Sequence, residues 1–479
     1  MIFNTIDFAL FLPIVFILYW GVAKLNVRVQ NFLVVLASYF FYGWWDWRFL
    51  SLILFSTIVD YSIGIGLSRT EVQKQRKRLL WTSILMNLGF LGFFKYYNFF
   101  LENFVAAFSL FGKELHINSL DIILPVGISF YTFQTLSYTI DVYKKKLEPT
   151  KDFIAFTAFV SFFPQLVAGP IERASHLLPQ FYKKRQLNEA KCIDGLHQIL
   201  WGLIKKIVIA DRLAIVVNEI YNYPTEYHGF VLVLGIGLFA FQIYCDFSGY
   251  SDIAIGTAKL FGFDLMKNFD TPYFSSSLGE YWRRWHISLS TWFRDYLYIP
   301  LGGNRVSKSR RYLNLMILFV VSGFWHGAGW TYIIWGAIHG VVLVLEVMLG
   351  LKAPSTSLAK FIRAIILFIV LGFGWIFFRA NSLSDALYIL NDVLNYSNYH
   401  YAQLSLYIIP IEKETVFAID ILLSILLVIS LLSVEYLFSE KYSFKALRYR
   451  YRLPVYVIGI WIIFVLGAFE KNEFIYFQF

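Results

Sequence analysis

Cysteine is almost missing from this chain: Cys192 and Cys245 are the only two in 479 residues, and they form neither a CxxC pair nor a disulfide framework. Redox and zinc chemistry are therefore not expected. Charge is sparse as well, with Asp, Glu, Lys and Arg together at 15%, far from the balance of a soluble domain. No phosphate loop, Rossmann fingerprint, HExxH motif or GxSxG elbow stands in a supporting context, which argues against a nucleotide-driven pump. No repeat of fixed period and no low-complexity linker divides the sequence, so residues 1–479 read as a single integral domain. The amino terminus has no basic n-region and no small-residue cleavage site, since the first Lys or Arg is Lys24. Its first apolar segment is expected to remain as an anchor.

What is abundant is apolar and aromatic: 58% hydrophobic and 20% aromatic residues, with a mean hydropathy of +0.58. Stretches that cross or nearly cross a hydrocarbon core run over residues 8–20, 32–45, 49–67, 79–94, 122–140, 153–168, 196–217, 230–244, 313–325, 331–349, 361–378, 416–437 and 455–469. The expectation is an all-α polytopic membrane protein with roughly ten to thirteen membrane segments, some broken or re-entrant. Basic clusters set its orientation: Lys24 and Arg28; Arg69 to Arg78; Lys144, Lys145 and Lys146; Lys183, Lys184 and Arg185; and Arg305 to Arg311. They belong in the cytoplasm, which places the amino terminus outside. The net charge of +10 needs no nucleic acid partner, because cytoplasmic loops facing anionic membrane lipids account for it.

Polar motifs flanked by glycine concentrate in residues 160–340, the expected functional core. His326 sits in Val321-Ser322-Gly323-Phe324-Trp325-His326-Gly327-Ala328-Gly329-Trp330, a glycine-rich break between apolar stretches. An ionisable group at membrane depth is costly and marks a partner, a cavity or a function. A neutral imidazole there can accept a hydroxyl proton as a general base, while a core histidine bonded to a carbonyl is the plainer reading. His286 lies in residues 281–296, whose spacing predicts one helix with Trp282, Trp285, His286, Leu289, Trp292, Phe293 and Tyr296 on an aromatic face. Arg283, Arg284, Ser288, Thr291, Arg294 and Asp295 take the other face, which suits a helix at the cytoplasmic interface with tryptophans at headgroup depth. Ile299-Pro300-Leu301-Gly302-Gly303-Asn304 should end it in a turn.

A second polar break is expected at residues 244–256, where Asp246 and Asp252 would orient a histidine, pair with Arg283 and Arg284, or cap a helix. A third, at 164–173, combines a Gly169-Pro170 step with a local Glu172 and Arg173 pair. His339 reads as helix packing. His116, His176, His197, His228 and His400 lie in loops or at helix ends, and no pair has metal-ligand spacing.

These motifs together resemble the membrane-bound O-acyltransferase (MBOAT) family, in its bacterial alginate O-acetylation type. The segments that carry the resemblance are 164–173, 245–256, 281–304, 322–330, the block Gly374-Trp375-Ile376-Phe377-Phe378-Arg379-Ala380, and the terminal Phe474-Ile475-Tyr476-Phe477-Gln478-Phe479. Trp-His-Ile-Ser followed by Trp-His-Gly makes the match specific. It implies helices around a tunnel, with an acyl donor entering from the cytoplasm and an acceptor reached from outside. His326 matches the family's catalytic histidine and His286 its second histidine. The expected co-substrate is acetyl-CoA or another acyl thioester, with no permanently bound cofactor. The expected partners are a periplasmic or membrane-tethered acetyltransferase and a polysaccharide acceptor, at the bacterial inner membrane. On this reading Asp246, Asp252, Arg283, Arg284 and Trp325 support catalysis or bind substrate, the arginines meeting donor phosphates or lipid headgroups. Two other readings stand beside it: a D-alanyl transferase of the same family, and a secondary transporter coupled through Asp246 or Asp252.

Overall fold

The computed structural model describes residues 1–112, 115, 117–167, 169–351, 354–399, 414–438, 449–469 and 474–475; His116, Ala168, His400 and residues 476–479 of the sequence motifs lie outside them. Among the described residues the regular structure is all helical, with no strand. It divides into two compact units, Met1–Leu196 with Ala254–Met266, and His197–Ile253 with Lys267–Phe479.

The first unit is built on α1 (Ile6–Gly21), α2 (Val27–Asp46), α3 (Leu50–Ser68), α4 (Gln73–Leu91), α5 (Tyr97–Leu110), α6 (Ile128–Tyr143) and α7 (Phe153–Ser161), followed by two single turns, α8 (Phe163–Leu166) and α9 (Ala174–Leu177). Helix α1 begins where the Thr5 hydroxyl accepts the Phe8 amide, satisfying one of the donors every helix start leaves open. It is apolar all round, yet Phe8, Phe11, Val15 and Tyr19 are buried while Ile6, Leu10, Ile14 and Ile17 are exposed. One stripe meets protein and the other is left for lipid, so its sidedness comes from packing rather than polarity. Asp60 of α3 is fully buried and accepts hydrogen bonds from Ser83 Oγ, Asn87 Nδ2 and Thr139 Oγ1, donors from α4 and α6 that tie three helices together. Two residues of the basic clusters turn inward. Arg76 donates to the carbonyls of Leu67 and Tyr143, and Arg185 donates to Asn31 Oδ1 at 2.7 Å.

The second unit holds α11 (Asp211–Asn222), α13 (Leu278–Arg284), α14 (Ile287–Phe293), α15 (Lys308–His326), α16 (Trp330–Leu349), α17 (Ser357–Arg379), α18 (Leu383–Leu394), α19 (Glu414–Phe438) and α20 (Tyr449–Leu466); α10 (Glu189–Leu203) and α12 (Phe230–Leu260) each contribute residues to both units. Among the described residues, seven helical stretches are long and apolar enough to cross a membrane: Ile6–Lys24, Val27–Ser68, Gln73–Leu110, Phe230–Leu260, Trp330–Leu349, Ser357–Arg379 and Ala418–Leu437. Other apolar sequence segments form shorter helices, among them α6, α7 and α11.

Two local expectations are corrected. Residues 244–256 do not break the chain: α12 is continuous over 31 residues, about 46 Å at 1.5 Å per residue. Its aspartates are neutralised by lysines instead of ending the helix. Residues 281–296 are not one interfacial helix. They split into α13 and α14 at His286, whose backbone is left-handed with φ of +43°, and Trp285, His286, Leu289, Trp292 and Phe293 are all buried inside the protein rather than forming an exposed aromatic face.

The expected turn after this pair does form, with Gly302 and Gly303 both at positive φ. Close packing of α15 on α16 rests on glycine: a Cβ on Gly323 would lie 2.2 Å from the Tyr332 carbonyl oxygen, and one on Gly336 would lie 2.3 Å from that of Phe319.

Candidate active site

His326 is the last residue of α15, with Gly327 and Gly329 separating it from α16, so the glycine-rich break lies where the sequence puts it. The side chain is buried, at 4% exposure. Its ring stands edge-to-face with three aromatic neighbours: Trp325 at 5.0 Å, Trp335 at 5.1 Å and Phe378 at 5.4 Å. Trp335 comes from α16 and Phe378 from α17, so three helices fix the imidazole. His339 touches the other side of this group, 4.8 Å from Trp335 and 5.2 Å from Trp282, in keeping with a packing role.

His286 is fully buried between Phe247, at 4.6 Å, and Trp325, at 6.3 Å. Trp325 is thus the shared neighbour of both histidines. A left-handed backbone is uncommon for a residue with a Cβ and is held only where the surroundings determine it. Here Asn268 supplies that hold. Its side-chain oxygen accepts from His286 Nδ1 at 3.1 Å and from the Ser288 amide and hydroxyl, its own amide donates to Ser251 Oγ, and its carbonyl accepts the Ile287 amide at 2.8 Å. Nδ1 donates, which leaves Nε2 as the lone-pair nitrogen. Burial pushes His286 down to about 3, so the ring is neutral at ordinary pH.

Asp246 and Asp252 take different partners from those expected. Lys206 Nζ lies 2.6 Å from Asp246 and 2.8 Å from Asp211, and Asp246 also accepts the Ile475 amide at 2.8 Å. Lys205 pairs with Asp252 and donates to Ser248 Oγ, while Gln198 donates to Asp252 at 2.8 Å. Both lysines come from a π-helical turn, Ile204–Ala210, and reach α12 where the helices cross on Gly202 and Gly249. The aspartates therefore fix α12 in place and bond to neither histidine. Arg284 pairs with Glu280 at 2.9 Å within α13, and Arg283 is exposed.

Sequence reasoning passed over Lys205, Lys206 and Asn268. Two adjacent lysines inside an apolar stretch were a readable signal, since buried charges need partners. Asn268 stands in a loop with no motif to mark it. Among the described residues no cluster of three His, Cys, Asp or Glu side chains could hold a metal.

Comparison with known proteins adds to this geometry. Residues 149–384 match the profile of the membrane-bound O-acyltransferase family. The chain is 42% identical to a probable alginate O-acetylase of Pseudomonas syringae pv. tomato, over 81% of this chain and 74% of that protein. It is 37% identical to a peptidoglycan O-acetyltransferase of Helicobacter pylori, over 85% and 82%. It is 32% identical to a teichoic acid D-alanyltransferase of Streptococcus thermophilus, over 52% and 63%. With these relatives, the helical multi-pass architecture and the buried histidines between apolar helices, the chain belongs to the membrane-bound O-acyltransferase family and is an O-acyltransferase.

Proposed function

We propose that this enzyme carries acetyl across the bacterial inner membrane, from a cytoplasmic thioester, acetyl-CoA or another acyl carrier, toward O-acetylation of an extracytoplasmic polysaccharide. The observation that carries the reading is the position of Trp325 against both His286 and His326, which gathers two imidazoles into one buried aromatic group. In the proposed step His326 takes the proton of the acceptor hydroxyl as its oxygen attacks the thioester carbonyl. The tetrahedral intermediate then collapses, the C–S bond breaks, and the proton passes from His326 to the departing thiolate. His286, fixed by Asn268, orients the reacting groups. The surrounding aromatic rings keep water away from the thioester, which limits hydrolysis.

Arg283, exposed on α13, is available to the donor's phosphates or to lipid headgroups. Asp246 and Asp252 act on the site only by holding α12. Orientation follows the basic loops, with those loops in the cytoplasm and the amino terminus outside. A periplasmic or membrane-tethered acetyltransferase receives the acetyl group in this scheme and places it on the polymer.

The acetylating relatives align over 81–85% of the chain, and the D-alanylating one over 52%, which favours acetyl. Transfer of labelled acetyl from acetyl-CoA by the purified protein, alone and with its partner, tests the proposal. Loss of transfer in His326→Ala at normal membrane abundance is the expected result.

A further inference from the structure

Glu346 is the only Asp, Glu, Lys or Arg of α16, and it lies near the end of the helix away from His326. A charge in an apolar membrane helix is costly and marks a partner or a function. Among the described residues no Lys or Arg stands at ion-pair distance from it. Its carboxylate instead accepts the first two amides of α13, Leu278 at 2.6 Å and Gly279 at 3.3 Å. Those amides have no partner inside their own helix, and the positive end of the helix dipole favours an anion beside them. Ser277 already caps α13 through the Glu280 amide at 3.1 Å, so the helix has a start of its own without Glu346. What Glu346 adds is a tie to α16.

The same helix touches the rest of the site. Trp335, His339 and Glu346 fall on one face of α16 at helical spacing. Trp335 is the ring 5.1 Å from His326, and Trp335 and His339 lie 5.8 and 5.2 Å from Trp282 of α13. About three turns beyond Trp335, Glu346 holds the start of α13. That helix is seven residues long, and His286 follows two residues after its last. One helix therefore carries a wall of His326 and the anchor of the segment that delivers His286. Apolar ring contacts have no direction and leave α13 free to slide along α16, whereas hydrogen bonds to one carboxylate fix its register.

We propose that Glu346 is a positioning residue of the transfer site: it sets the register of α13 on α16 and, through α13, the place of His286. This rests on the part given to His286 in the transfer reading above.

The test has two arms. In the first, the full-length protein in nanodiscs is labelled with ¹⁵N-histidine, and the ring signals of His286 are identified as those lost in His286→Ala. Glu346→Ala is expected to move them and Glu346→Gln, which keeps an acceptor oxygen, to return them close to their wild-type positions. In the second, cells carrying each variant are fed labelled acetate, and the rate at which label becomes base-releasable ester outside the cell is divided by membrane abundance. Glu346→Ala is expected to lower that rate about tenfold, the scale for losing an orienting partner, and Glu346→Gln to recover most of it. Added to His286→Ala, Glu346→Ala is expected to change the rate by less than about twofold, because both substitutions act through one ring. Unmoved His286 signals in Glu346→Ala, movement spread over all the histidines, or a further tenfold loss on adding Glu346→Ala to His286→Ala overturns the proposal. Moved signals together with a wild-type rate in His286→Ala overturn the role of His286 in transfer instead.

Discussion

The Nδ1 atom of His286 lies 3.1 Å from the side-chain oxygen of Asn268, and this single hydrogen bond decides which ring nitrogen carries the lone pair. Asn268→Asp keeps an acceptor in place and is expected to retain most transfer. Asn268→Leu removes it, frees the ring to change tautomer, and is expected to lower transfer by about 10–100-fold, the usual scale for losing an orienting partner. Initial rates of labelled acetyl transfer at matched protein abundance check this. Equal rates in the two variants would show that the tautomer does not matter.

The buried cluster of Lys206, Asp211 and Asp246 holds one cation against two carboxylates. Lys206→Met therefore strands two charges, and a destabilisation of about 3–5 kcal/mol is expected. Asp246→Asn leaves a matched pair and keeps an oxygen for the Ile475 amide, so it is expected to cost no more than about 2 kcal/mol. Thermal unfolding in detergent ranks them; the reverse order would mean that Asp246 matters for something other than charge balance.

Gly323 and Gly329 flank His326 but tolerate a methyl group differently. A Cβ on Gly323 meets a backbone oxygen at 2.2 Å, whereas on Gly329 its nearest neighbour is the Tyr332 ring at 3.4 Å. Gly323→Ala is expected to force α15 from α16 at a cost of about 3 kcal/mol and a several-fold loss of membrane abundance. Gly329→Ala should stay within twofold of the wild type, as quantitative immunoblotting of membranes would show.

His176 and Glu172 make stability depend on pH. The hydrogen bond and charge of Glu172, at 2.7 Å, hold His176 above the usual histidine value of 6.5. A raised folded-state pKa gives stability that is fully present below 6.5 and lost as pH climbs through the raised value. Burial pushes Glu172 up, and the His176 hydrogen bond and charge pull it back down. Melting temperature should fall from pH 6 to pH 8.5, and His176→Gln should flatten that slope. A slope unchanged in the variant would assign the pH effect elsewhere.

The legible part of the site was the part written in glycine and proline. Gly327 and Gly329 marked the end of α15 at His326, and the Pro300, Gly302 and Gly303 run marked its turn. The break at His286 carried no such mark, because a left-handed histidine is imposed by Asn268 from a distant loop rather than by local propensity. Periodicity consequently drew α13 and α14 as one helix. At Asp246 and Asp252 the acidic pattern suggested an interruption that Lys205 and Lys206 remove, and only the folded chain brings those lysines across. The wall of Trp335 and Phe378 around His326 was illegible for the same reason: each residue sits in an apolar helix that looks like plain lipid-facing sequence until the helices are packed.

The central claim is that His326 is the base for acyl transfer, and one assay addresses it directly. Membranes holding equal amounts of wild type and His326→Ala are supplied with labelled acetyl-CoA, the acceptor and the partner protein, and acetylated product is counted over time. Transfer should fall by about 10²–10⁴-fold, the range for losing a general base. Transfer by His326→Ala at the wild-type rate would contradict the account.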